Sequence, residues 1–463
     1  MKKEATRISL STMASYGMGK YLAEFLTGAF GAVVYKFYET EIGLAPLYAA
    51  IATILYSLWN AVNDPLLGYL TNKTAPLASK FGRRFVWIII GLILTSFSFI
   101  LIFSVPPSWI ENVKTSPFPV FFWMVITIFI FDASYSLWEL NYQSIFPDKF
   151  RSQDVRAKSA AISTAVGVLG IASGFIIPPL FFSYGDINSY LISAIVIGLI
   201  TLVGIILLLP GIKESDEMIS RFIAHKKEKT NERSFISSLK DAFRHKDLRA
   251  FIFLLFLYQS GTMCMTSSIH YVGDYILDVP SSGTTLIFAG MLIGTLASIP
   301  VWMMLSKRGV NNQKMLIITS IVMAVFAFPM TFISTMGGFT LFMGLWGIGF
   351  GGFWTFMGPA MADIVDEIVV KDKRRDDGVL MGIRAFFMRF SYASQAIVFY
   401  VVHTITRFDV NPTSPSALFG IALHMAAIPA LFFLIGAIVF YKMNSLNSER
   451  IAQNKSLLES MDI

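Results

Sequence analysis

The residues best able to do chemistry in this chain are ionisable and amide side chains set inside long apolar stretches. Lys20 and Glu24 lie in the first such stretch, and Asn60, Asn63 and Asp64 in the second. Asp132, Ser136 and Glu139 fall in the fourth, Arg384 and Arg389 in the eleventh. A charge at the centre of a membrane helix costs roughly 2.5–3.5 kcal/mol on insertion scales, so it persists only with a partner, water or a task. Asn60 and Asp64 are four residues apart and share a helical face, while Asp132, Ser136 and Glu139 keep to one side over two turns. Lys20 and Glu24, also four apart, have a simpler reading as an ion pair. Amide and hydroxyl oxygens around a carboxylate are hard ligands that suit a proton or a small cation such as sodium. Asp64, with Asn60, Asn63 and Ser136, is therefore the candidate coupling site, and the coupling ion is H+ or Na+.

The elements that must position these groups follow from composition. Of 463 residues 55% are hydrophobic and 14% charged, with a mean hydropathy of +0.62. Soluble domains run near a quarter charged, so a soluble enzyme is excluded. Apolar stretches of about twenty residues, the length a helix needs to cross a bilayer, lie near 12–38, 45–71, 85–105, 120–145, 159–183, 188–211, 249–278, 284–306, 315–334, 337–363, 379–405 and 418–442. The spacing predicts an all-α membrane protein of twelve transmembrane helices. The one long polar interruption divides it into a six-helix bundle at 1–211, a linker at 212–248, a second six-helix bundle at 249–442 and a tail at 443–463. Inner segments carry 31 of the 37 Lys and Arg, against Lys114 and Arg407 outside. The positive-inside rule therefore puts both termini and the linker in the cytosol. The net charge of +7 then reports membrane orientation and not a nucleic-acid partner. The first apolar stretch is no signal peptide, since an h-region does not tolerate Lys20 and Glu24. On this topology Glu24 sits near the midplane, Asp64 and Glu139 about 10 Å to the cytosolic side of theirs, and Arg389 about 5 Å. Similar depth on four helices suggests one aqueous cavity.

Other signals reduce to packing or solvation. The lone Cys264 excludes a disulfide framework and a Cys-built metal site, and no histidine pair stands at i, i+4. With no nucleophile–base pair in view, catalysis, a cofactor and any metal beyond sodium are not expected. The Gly347–Gly352 run matches G-x-G-x-x-G but sits inside an apolar span, so close helix packing is expected instead. Trp354 beside it is placed to stack on a sugar ring. His270 and Asp274, near the outer end of span 7, read as solvated lining. In the linker, Phe235, Ile236, Leu239 and Phe243 interleaved with Lys240 and Arg244 suggest a helix lying on the cytosolic membrane face. The Lys-rich run at 226–229 reads as a solvated charge cluster.

Twelve spans in a six-plus-six order imply the major facilitator architecture, and two segments narrow the match. They are Trp59-Asn60-Ala61-Val62-Asn63-Asp64-Pro65 followed by Gly82-Arg83-Arg84, and Met361-Ala362-Asp363-Ile364-Val365-Asp366-Glu367 followed by Gly382-Ile383-Arg384 and Arg389. With Ser15-Tyr16-Gly17-Met18-Gly19, they resemble the glycoside–pentoside–hexuronide:cation symporter family, of the melibiose-permease type, over nearly the whole chain. The resemblance implies that Asp64 and Asn63 belong to the cation site, with Ser136 where a hydroxyl ligand occurs. It implies substrate contacts at Glu24, Glu139, Gln143, Trp354, Arg384 and Arg389. Arg156, Asp363 and Asp366 look like members of the family's cytosolic gate charge network. Asn60 stands where sodium-coupled members commonly carry a first aspartate, which shifts expectation toward the proton. Gln143 replaces a sugar-stacking tryptophan, which argues against a galactoside. The paired arginines suit an anionic sugar such as a hexuronide or a sulfonated sugar. The expectation is a monomeric, cation-coupled sugar symporter of the plasma or inner membrane, working by alternating access. Animal lysophospholipid transporters resemble the same family, so an amphipathic lipid is the alternative substrate.

Overall fold

Hydrocarbon offers backbone amides no water, so a chain that crosses it must satisfy every N–H and C=O within each segment. The computed structural model, which describes residues 8–73, 78–225, 243–373 and 377–459, is accordingly built of helices. Spans 1 to 6 are Leu10–Lys36, Pro46–Lys73, Phe85–Ile102, Phe118–Lys149, Gln153–Ile176 and Ile187–Ile212. Spans 7 to 10 are Lys246–Tyr271, Thr284–Lys307, Asn312–Ala327 and Met336–Asp372. Span 11 is Asp377–Arg389 continued by Ser391–Thr406. Span 12 runs from Pro415–Ala422 through a π-helical turn, Leu423–Ala427, into Ile428–Met443, and a tail helix covers Ser448–Glu459. Ten of the described helices are long and apolar enough to cross a membrane. Spans 1 and 2, at 27 and 28 residues, are as long and are diluted by the polar side chains of interest. Twelve membrane-crossing helices result.

The chain forms two compact units, Met1–Thr230 and Asn231–Ile463. In the first, span 1 packs on spans 5 and 6, and span 4 on spans 2 and 3. The Ser15–Gly19 motif fits Tyr16 against span 4. The Tyr16 and Tyr142 rings stack at 4.5 Å, and each hydroxyl donates to the other's backbone oxygen, at 3.0 and 2.9 Å. At its far end, span 1 turns into a π-helix at Phe37–Glu41, next to a buried ion pair, Lys36 Nζ to Glu41 Oε1 at 2.8 Å. Tyr190 and the Gly185 N–H also donate to Glu41, both at 2.8 Å, tying span 1 to span 6 and the turn before it. At the basic end, Gly82 takes φ +93°, which only glycine adopts without strain. Its missing side chain leaves room for the buried Glu214 carboxylate, which accepts the Arg84 and Phe85 N–H groups at 2.6 and 3.2 Å. Burial beside Arg83 pushes the Arg84 guanidinium down to about 10, with Glu214 opposing.

In the second unit, spans 8 and 9 pack on span 10, and span 7 on span 12. The glycine run is the reason. A Cβ at Gly347 would strike the Met291 carbonyl of span 8, and one at Gly349 would crowd Thr319 and Met323 of span 9. The dinucleotide-like pattern is therefore a packing seam. Three expectations are corrected. Span 11 is not one unbroken helix: it steps at Phe390, whose N–H bonds Phe387 at 3.3 Å, an i→i−3 bond. Span 9 gives way to a 3-10 turn at Phe328–Phe332, where Pro329 cannot extend the α-helical ladder. His270 is not solvated lining: it is 1% exposed and faces Thr284 Oγ1 at 3.4 Å. The linker residues Phe235, Ile236, Leu239 and Lys240 and the 226–229 run lie outside the described residues.

Two substitutions in span 10 test this seam. Gly347→Val is expected to cost about 1–3 kcal/mol by overpacking, seen as a lower thermal midpoint of the purified protein. Gly358→Ala, with no neighbour within 4 Å of the added carbon, should be neutral or stabilising by up to about 1 kcal/mol.

Candidate cation and substrate site

Spans 2 and 4 run parallel in close register. Tyr48 meets Phe118 with ring centroids 5.7 Å apart, and Trp59 stacks on Phe129 at 5.0 Å. That register places Asn60 and Asn63 opposite Asp132. Asn60 Nδ2 donates to Asp132 Oδ1, and Asn63 Nδ2 to Oδ2 at 3.1 Å. The three side chains are 4%, 1% and 1% exposed. Separate donors on both oxygens form the pattern an ionised carboxylate accepts.

An amide whose nitrogen is committed must turn its oxygen elsewhere. Asn60 Oδ1 is buried without a hydrogen-bond partner, as is Ser136 Oγ. From Asn60 to Asp64, and from Asp132 to Ser136, is one turn, about 6 Å along each helix. Parallel helices in register therefore bring Asp64 and Ser136 level. Two carboxylates and two unpartnered oxygens gather over two adjacent turns, a hard, all-oxygen set. Asp132 is the member that the sequence reading noted as a buried charge but left out of the cation set. The signal for it was an acid on one apolar stretch facing two asparagines on another.

Of the carboxylates expected at the substrate, Glu139 lies on span 4 itself and Glu24 on span 1. Lys20 Nζ pairs with Glu24 Oε1 at 2.6 Å, so the ion-pair reading of that couple holds. Gln143 Nε2 donates to Glu139 Oε1. Spans 1 and 4 are antiparallel, and the Tyr16–Tyr142 clasp sets their register. Lys20 and Glu139 each lie about one turn from that clasp toward the membrane interior, so they come level. Lys20 is 48% and Glu24 28% exposed, and Gln143 is exposed, which makes a polar strip on this face of the first unit.

In the second unit, Trp354 is 48% exposed and edge-on to Phe350 at 6.4 Å. Arg384 and Arg389 are half-buried, and Arg384 Nε has no hydrogen-bond partner. Two of the residues expected at the gate, Arg156 and Asp363, have partners inside their own units. Arg156 Nε donates to the Phe150 carbonyl at 3.1 Å, capping the end of span 4. Asp363 accepts Asn312 Nδ2 at 2.9 Å, and Asp366 is half-buried. Glu367, one residue on, was not singled out. It is 3% exposed and receives Arg450 Nε and Nη2, Lys371 Nζ at 2.7 Å and Asn454 Nδ2 at 2.7 Å. These bonds clamp the tail helix to span 10 and hold the Arg450 guanidinium above its ordinary value.

Sequence spacing also hides a histidine chain. His403 Nε2 and His424 Nε2 approach to 3.1 Å, and Ser268 Oγ lies 2.6 Å from His424 Nδ1, all fully buried. The Ser268 hydroxyl donates to the Cys264 carbonyl at 2.5 Å. It must then accept from His424 Nδ1–H, and His403 Nε2–H must donate to His424. One directional chain ties spans 7, 11 and 12.

Comparison with known proteins agrees with this architecture. The family model described as MFS/sugar transport protein matches residues 15–445, so the chain belongs to that family of major facilitator membrane transporters. The sodium-dependent lysophosphatidylcholine symporter 1 of Gallus gallus is 21% identical, over 99% of this chain and 91% of its own length. An uncharacterized symporter of Bacillus subtilis, YnaJ, is 20% identical over 100% and 97%. Among solved structures, a bacterial homolog of the human lysosomal transporter Spinster superposes with a TM-score of 0.64 at 10% identity, covering 96% of this chain and 97% of the other. That last likeness speaks for the fold.

Asp132→Ala removes the acceptor of two buried amides. Each orphaned donor costs about 1–3 kcal/mol, so thermal unfolding of the purified protein should show a marked drop in midpoint. A drop no larger than that of an exposed control, Asp409→Ala, would show that the clasp does not hold spans 2 and 4.

Proposed function

We propose that this chain is a sodium-coupled symporter working by alternating access, with Asp64 as the coupling carboxylate. One observation carries the reading: Asp132 stands beside Asn60, one turn from Asp64. The loss of an aspartate at position 60 had pointed toward the proton. A second carboxylate supplied from span 4 restores an acidic pair, and the unpartnered oxygens of Asn60 and Ser136 complete a hard-ligand set for Na+. The sodium dependence in the names of several relatives supports the same choice. The coupling logic is electrostatic. An unfilled acidic site leaves charge uncompensated when the cavity closes, and a bound cation removes that penalty. Only the empty and fully loaded carriers then rock readily.

The substrate is a neutral or anionic sugar or glycoside. Glu24, Glu139 and Gln143 from the first unit take its hydroxyls, and Trp354 stacks on the ring. Arg384 and Arg389 take an anionic group. The resemblance to glycoside–pentoside–hexuronide symporters and the family's description support this assignment. A second reading, a lysophospholipid, is supported by the likeness to the lysophosphatidylcholine symporter over nearly the whole chain. The chain is assigned to the plasma or inner membrane as a monomer, and its Lys and Arg distribution supports cytosolic termini. Arg156, Asp363 and Asp366 are assigned to a gate at the basic end.

In proteoliposomes, Asp64→Asn is expected to abolish accumulation against a gradient while exchange of substrate survives. Unchanged accumulation removes Asp64 from the mechanism. An imposed sodium gradient at equal pH on both sides should drive uptake, and uptake driven by a pH gradient alone, without sodium, would assign the proton. A thermal-shift panel of neutral sugars, hexuronides, sulfonated sugars and lysophospholipids, with and without sodium, separates the substrate readings. Stabilisation by the lysolipid alone would overturn the sugar.

A further inference from the structure

The second unit carries a groove of about 770 Å³ between the basic ends of spans 7, 11 and 12. Its walls include Phe253 and Phe256 of span 7, Phe387 and Phe390 of span 11, and Met443 of span 12. Arg249 is the one charged side chain in its lining. Arg249, Phe253 and Phe256 follow i, i+4, i+7 spacing, so they form a single stripe down span 7. The stripe descends about 10 Å from the guanidinium to the deepest ring.

Two properties make this more than ordinary lipid-facing surface. The groove is concave and aromatic, where the lipid-facing flanks of membrane helices are convex. Its one polar group stands at the basic end of the stripe, with Lys246 at the start of span 7 and Lys442 beside Met443, all exposed. Among the described residues Arg249 has no ion-pair or hydrogen-bond partner. The nearby acid does not compete, because Asp247 is 4% exposed and is held by the Ser445 hydroxyl at 2.9 Å. By the positive-inside rule this end lies at the cytosolic leaflet. At that depth the groove can be filled only by hydrocarbon, and the mouth asks for a negative head group.

We infer that this groove is a binding site for an anionic phospholipid of the cytosolic leaflet, its acyl chain along the Phe253–Phe256 stripe and its phosphate at Arg249. None of its lining residues is among those assigned to cation or substrate, although Phe387 and Phe390 flank Arg389 in the chain. A bound lipid here bridges spans 7, 11 and 12 and stabilises the unit that holds Arg384 and Arg389. A single basic residue near the membrane surface contributes about a fivefold preference for an acidic lipid.

The test uses the purified, delipidated full chain in detergent, with its thermal midpoint followed as phosphatidylglycerol or phosphatidylcholine is titrated in. Phosphatidylglycerol is expected to stabilise at about fivefold lower concentration than phosphatidylcholine, and added salt should narrow the gap. Arg249→Gln, at an exposed position that leaves folding intact, should bring the two lipids together. Phe253→Ala should weaken both. Native mass spectrometry of each folded variant, counting retained phosphatidylglycerol, checks the same ranking without relying on stability. Equal effects of the two lipids on the wild type would overturn the proposal, as would a difference that survives in Arg249→Gln. Stabilisation by inorganic phosphate alone would overturn the lipid assignment.

Discussion

A carboxylate buried between membrane helices must be met by donors that reach both of its oxygens, and in the first unit that demand falls on Asp132. Asn60 and Asn63 answer it from span 2. The clasp has three consequences. It fixes the register of two parallel helices whose aromatic contacts alone would tolerate sliding. It turns the Asn60 amide so that its oxygen points away from Asp132. It also places Asp64 and Ser136 at one level a turn further on. Two of the residues proposed for the cation, Asn60 and Asn63, are thus held by Asp132. Position 60 shows why one helix read alone misleads: the acid beside Asn60 comes from the neighbouring span.

The second unit solves the same problem of burying polar groups with different chemistry. At its basic end, Glu367 is surrounded by two cations and an amide, and the tail helix is held in place by them. At the opposite end, a hydroxyl and two imidazoles form a buried hydrogen-bonded chain. Between these ends the helices pack through glycine, where backbones approach closely enough that a methyl group has no room. The first unit follows a similar plan, with Glu214 cradled by backbone N–H groups at the basic end and the Lys36–Glu41 pair at the other.

Family membership and fold leave the cargo open, because major facilitator architecture serves many substrates. Each unit presents its own set of polar side chains. Lys20, Glu24, Glu139 and Gln143 give the first unit a mixed-charge, hydrogen-bonding face, and Trp354 with two arginines gives the second an aromatic and cationic one.

Read alone, the order of amino acids settles that the chain is a bundle of twelve membrane helices in two sets of six. Hydrophobic runs of bilayer length have no other stable form in lipid, and each run is a local property. It also reveals Asp64, Asn60, Asn63 and Ser136, because a polar residue in such a run is conspicuous. The Lys20–Glu24 pair was legible for the same reason, since its partners are one turn apart on one helix. What the tertiary structure alone decided are the contacts between helices. Asn60 and Asp132 are 72 residues apart, Glu367 and Arg450 are 83 apart, and the paired histidines belong to different spans. A helix displays its faces in its own periodicity, but which faces meet, and at what register, is set by packing against neighbours that no local pattern names.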